Sequence, residues 1–74
     1  MFKEPKFNEF AEKMNDALLK RQHAYGDSWK TMNPEFLEQR LNAKITEFKL
    51  TKNPEKLISI SNLSMMLYVR NQNE

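Results

Sequence analysis

An all-α fold follows from three features of this 74-residue chain. It holds a single Gly, where average usage is about 7%. A β-rich chain of this length needs several tight turns, and Gly is their usual residue. Two triplets, Asn33-Pro34-Glu35 and Asn53-Pro54-Glu55, have the form of helix starts. Between the breakers, apolar residues recur at three- and four-residue steps, the period of a helix face. The expected architecture is three main helices, over about 6–25, 34–50 and 54–70, with a short helical turn near 28–32, in one domain over 1–74.

The first helix starts at Pro5 or Lys6 and carries its apolar stripe on Phe7, Phe10, Ala11, Met14, Ala17, Leu18 and Ala24. Glu9 with Lys13 and Asp16 with Lys20 set an acid four residues before a base, the favourable order. Lys20, Arg21 and His23 fall where the helix dipole favours cations, and Gly26 falls at the left-handed C′ position. In the second and third helices, Asn at the N-cap can accept from a free backbone N–H. Proline at N1 lacks the N–H that would go unpaired there, and Glu suits the positive end of the dipole. The second stripe is Leu37, Leu41, Ile45 and Phe48, with Phe36 alongside. The third helix is apolar on more than one side, through Leu57, Ile58, Ile60, Leu63 and the run Met65–Val69. A helix apolar nearly all round is covered by several neighbours. Two short helices offer little cover, so a second chain is expected on its other side: a homo-oligomer, with a dimer foremost. The methionines themselves suit gap-filling in a core.

Size points the same way. A chain this short buries only about 60% of its unfolded surface, and small domains usually add a staple. With no Cys and one His, His23, disulfides and multi-His metal sites are closed off. Helix packing and oligomerisation remain. The longest apolar run, Met65–Val69, is five residues, whereas a membrane span needs about 20. The first six residues lack the apolar stretch of a signal peptide. A soluble, cytoplasmic protein is therefore expected. A formal charge of +2, with bases scattered among acids, describes a solvated helix face and weighs against a nucleic-acid partner.

Tyr25-Gly26-Asp27-Ser28-Trp29 joins the first two helices. Gly26 can end a helix, Asp27 or Ser28 can cap a short turn, and Tyr25 and Trp29 can cover the end of the core. The same two aromatics could also rim a planar ligand, since aromatic faces stack on bases. Asn62, inside the apolar third helix, is the other unusual residue, because a buried amide needs partners. It can fix an oligomer, as a polar residue does in a coiled coil, or it can belong to a site.

The run from Lys20 to Trp29 resembles the helix-end motif of small MazG-like proteins, in the branch of nucleotide-modification-associated domains, where a Lys-x-x-x-Tyr-Gly-x-Ser-Trp segment precedes two helices. The stretch Phe36–Phe48 resembles their second helix, and Lys56–Tyr68 resembles a last helix patterned Leu-Ile-Asp-Ile-Ala-Asn before an apolar run. The likeness covers roughly residues 10–70. It implies an all-α oligomer related to enzymes that cleave nucleoside triphosphates to the monophosphate and pyrophosphate. Their Mg²⁺ site uses Glu-x-x-Glu on one helix and acid-x-x-Asp or acid-x-x-Asn on another. Residues three apart share a helix face, so two helices can aim four oxygens at one ion.

Carried onto this chain, the first pair falls on Lys44 and Glu47 and the second on Ser59 and Asn62. Only Glu47 keeps a carboxylate, and the third helix has no acid after Glu55. The resemblance therefore implies a non-catalytic domain without a metal cofactor. It would bind a nucleotide or phosphate ligand through Tyr25, Trp29, Lys44, Glu47 and Asn62, or act as an oligomeric protein-interaction module. The alternatives are an active Mg²⁺-dependent pyrophosphohydrolase with an atypical site, using Glu38, Glu47 and Asn62 across a dimer, and a small helical nucleic-acid-binding protein. Glu38 and Glu47 are the weak metal candidates. A Gly-rich phosphate loop and His-Glu-x-x-His spacing are both missing from the sequence.

Overall fold

A computed structural model describes residues 2–72, with the side chains of 24 and 25 outside the description. Three helices follow one another: α1 (Pro5–Tyr25), α2 (Pro34–Thr51) and α3 (Glu55–Gln72), with a 3₁₀ turn at Ser28–Lys30 between the first two. The all-α expectation holds, and each helix lies within two residues of its expected bounds. Among the described residues there is no strand, and no helix is long and apolar enough to cross a membrane.

The starts and stops have local causes. Asn33 and Asn53 act alike: each side-chain Oδ1 accepts from the N–H two residues on, Glu35 and Glu55, at 3.0 Å in both cases. Pro54 stands in the turn just before α3, so its first helical residue is Glu55. Glu4 caps α1 by accepting from the Lys6 N–H at 2.9 Å. Glu9 pairs with Lys6, one turn before it, at 3.7 Å, whereas the expected partner, Lys13, lies one turn after it. Gly26 closes α1 with φ 66° and ψ −150°, donating to the Gln22 carbonyl at 2.8 Å. That backbone region is nearly exclusive to Gly. α2 ends on Lys52 in the left-handed conformation (φ 57°), a position where Gly is the usual choice.

α3 is the central element and packs against both α2 and α1. It supplies Ile58, Asn62, Leu63 and Met66 to the interior, while α2 supplies Leu37, which is fully buried. Leu37, Leu63 and Met66 form the core, and Leu18, Trp29, Met32, Leu41 and Leu67 pack around it. Arg70, near the end of α3, donates from one guanidinium nitrogen to the carbonyls of Trp29 (2.9 Å) and Met32. This clip fastens the α1–α2 connection onto α3 and places the Trp29 ring against the core. Several stripe residues remain outside. Phe7 is 59% exposed and Phe36 55%, and on α3 Leu57, Met65, Tyr68 and Val69 stay exposed as well.

Candidate functional site

Four residues that the resemblance singles out, Lys44, Glu47, Ser59 and Asn62, line one hollow of about 410 Å³ where the three helices meet. That volume lies within the range of small-molecule sites. Helix period explains the convergence. Arg40, Lys44 and Glu47 are spaced four and three apart on α2, and Ser59 and Asn62 are three apart on α3, so each set shares a face. Ala17, Leu18 and Arg21 of α1 close the third side, and Leu63 and Met66 form part of the apolar wall.

The electrostatics of the hollow are cationic. Arg21, Arg40 and Lys44 line it against one carboxylate, Glu47. Glu47 is itself occupied: its Oε2 forms ion pairs with Lys44 Nζ at 3.2 Å and with Lys56 Nζ at 3.3 Å. The ammonium of Lys44, then that of Lys56, hold this carboxyl below its ordinary value of 4.5, against a smaller opposing effect of burial. The Lys56 contact also ties the start of α3 to α2.

Asn62 is nine-tenths buried. Its Nδ2 donates to the Met14 carbonyl of α1 at 3.1 Å, a bond that fixes which end of the amide is which. Its Oδ1 is buried without a hydrogen-bond partner among the described residues. An unpaired buried acceptor costs about 1–3 kcal/mol, and this one belongs to a residue that lines the hollow.

The remaining candidates lie elsewhere. Trp29 packs on the core and lines an adjoining hollow of about 270 Å³, which shares Leu18, Arg21 and Met66 with the first. Lys30 Nζ lies 5.9 Å from the centre of the Trp29 ring. Tyr25 ends α1, and its side chain is outside the described residues. Glu38 is exposed on α2 and does not line the hollow, so it does not join Glu47 and Asn62 within one chain. Among the described residues, no group of three or more His, Cys, Asp or Glu gathers as metal ligands.

The donor set does not fit Mg²⁺. An ammonium stands at one ligand position and a hydroxyl at another, and the sole carboxylate is engaged by two lysines. Magnesium needs oxygen donors in a near-ideal octahedron, and Lys44 would repel it. Sequence reasoning did not assign Arg21 and Arg40 to the site. Their signal was the shared face with Glu47 in one case and membership of the Lys20–Trp29 run in the other.

Fold and hollow together define a small three-helix domain with a cationic, amide-bearing pocket. Compared with family models, curated proteins and solved structures, the chain matches none.

Proposed function

We propose that this chain is a non-catalytic binding domain whose α1–α2–α3 hollow takes a phosphate-bearing ligand, a nucleotide being the class that best suits it. The observation that carries the proposal is the convergence of Arg40 and Lys44 with Asn62, whose buried Oδ1 is unpartnered, around one hollow of small-molecule size. Guanidinium and ammonium groups complement phosphate oxygens. The orphan acceptor complements an exocyclic amine or a sugar hydroxyl, and a nucleotide offers both kinds of group. Trp29 would sense the event from the neighbouring hollow. The resemblance to MazG-like domains, read on the Tyr25–Trp29 element, points to the same ligand class. The exchange of acids for Lys44 and Ser59 supports binding without hydrolysis.

Isothermal titration with ATP, dATP, pyrophosphate and inorganic phosphate tests the reading, with Trp29 emission followed in parallel. Saturable binding that is weakened by Arg40→Ala and by Lys44→Ala is expected. No heat and no emission change at millimolar ligand would overturn it. Pyrophosphate release in Mg²⁺ that disappears in Glu47→Gln would instead establish the enzyme.

A further inference from the structure

Glu47 is an anion in a hollow otherwise lined by cations, where it would repel a phosphate group. Its place is defined all the same. Oε2 is buried and lies between two ammonium groups, 3.2 Å from Lys44 Nζ and 3.3 Å from Lys56 Nζ. The two lysines belong to different helices and different hollows. Lys44 stands on α2 and lines the hollow where the three helices meet. Lys56 stands in the first turn of α3 and lines a second hollow, of about 420 Å³, which shares only Ala17 and Ser59 with the first.

The cations of the first hollow differ in availability. Arg40 has no hydrogen bond or ion pair among the described residues, whereas the Lys44 ammonium is already neutralised by Glu47. That hold is breakable for two reasons. Oε2 has no hydrogen-bond partner among the described residues, so charge without hydrogen-bond alignment joins the three groups. The Lys44 and Glu47 side chains are also 35% and 45% exposed, and water screens a pair that open. A phosphate group carries up to about two negative charges at neutral pH, against one on the carboxylate, and so competes well for Lys44. A carboxylate set loose beside it would oppose the exchange. Lys56 prevents this, since it already touches the same oxygen at nearly the same distance. The exchange then breaks one of the two ion pairs and leaves the other in place. The lowered pKa of Glu47, caused first by Lys44 and then by Lys56, keeps the carboxylate charged and in competition at neutral pH.

We infer that Glu47 is a displaceable internal counter-ion: it covers Lys44 in the free protein and is retained by Lys56 when a phosphate group takes Lys44. Lys56 is thus a positioning residue, which acts on the site through Glu47 without lining the hollow. The inference rests on the phosphate-binding reading and adds to it how the empty site is guarded.

Calorimetric titration of the full chain with pyrophosphate, in metal-free buffer at neutral pH, gives the test. Glu47→Gln is expected to bind about threefold more tightly than wild type, a modest step because open ion pairs are weak. Lys56→Met is expected to weaken binding by a similar factor when Glu47 is present. In the Glu47→Gln background it is expected to have no effect, because no carboxylate is left to retain. Lys56→Arg, which keeps the cation, is expected to bind as wild type. A general loss of positive charge would act alike in both backgrounds, so equal weakening by Lys56→Met in the two overturns the inference. So does a Glu47→Gln variant that binds no more tightly than a wild type that does bind, and the phosphate site then stands without its guard. Binding by neither wild type nor Glu47→Gln overturns the site and the inference together. Binding by Glu47→Gln alone upholds both. Should Lys56→Met lose helical circular dichroism, Lys56→Gln takes its place, and the comparison of Glu47→Gln with wild type decides without either.

Discussion

Replacing Asn62 by Leu separates a site residue from a structural one. The exchange deletes the bond from Nδ2 to the Met14 carbonyl, worth about 1 kcal/mol. The Met14 carbonyl keeps its place in the α1 ladder, so no bare acceptor is left there. The exchange also deletes the buried, unpaired Oδ1, which costs about 1–3 kcal/mol in the free protein. Leu adds apolar surface beside a wall already formed by Leu18, Leu63 and Met66. The balance favours the variant by about 0–2 kcal/mol, and each kcal/mol raises Tm by about 4–8 °C in a domain of this size. Nucleotide affinity should fall by about tenfold or more, the equivalent of 1.4 kcal/mol. Urea and thermal unfolding followed by circular dichroism measure the first quantity, and calorimetric titration measures the second. A variant destabilised by more than about 1 kcal/mol would refute the reasoning, because both ends of the amide would then serve the fold. A stabilised variant with unchanged affinity would remove Asn62 from the site.

Three further outcomes follow from the same structure. The two positive-φ positions should respond with opposite sign. Gly26→Ala should cost about 1–3 kcal/mol through backbone strain alone, since an added Cβ meets no atom within 4 Å, and Lys52→Gly should gain about 1 kcal/mol; urea midpoints measure both. Arg70→Met should lose the clip on the Trp29 and Met32 carbonyls, at about 1.5–3 kcal/mol, with a shift in Trp29 emission under native conditions. Glu47 has a lowered folded-state pKa, so its stabilising contribution is present above 4.5 and is lost as pH falls through the folded value. Glu47→Gln should flatten the stability profile on that acid side and leave the neutral-to-alkaline part of the curve with the same slope.

The helices were legible because their signals are local. Asn33 and Asn53 accept from residues two positions on, and such bonds need nothing from the rest of the chain. The site was legible only in part. The Lys44–Glu47 and Ser59–Asn62 pairs follow from spacing on each helix, but a pair does not say which other helix faces it. Arg21 enters the hollow because α1 crosses beside Asn62, and Trp29 is drawn to the core because Arg70 holds its carbonyl from 41 residues away. Exposure of Phe7 and Phe36 escaped the periodicity for the same reason: a stripe states which residues share a face, and the neighbour decides how much of that face is covered.

For this protein the sequence alone determined the number, order and approximate bounds of the helices. Caps, breakers and a 3.6-residue period act over distances the chain itself fixes. The tertiary structure decided that α3 lies between α1 and α2 and that three helices bring Arg40, Lys44 and Asn62 into one hollow. It also decided that Asn62 spends one end on Met14 and leaves the other unpaired, and that an apolar groove stays open between α1 and α3. Those outcomes depend on how helices cross, and crossing is set by side-chain packing between segments far apart in the chain.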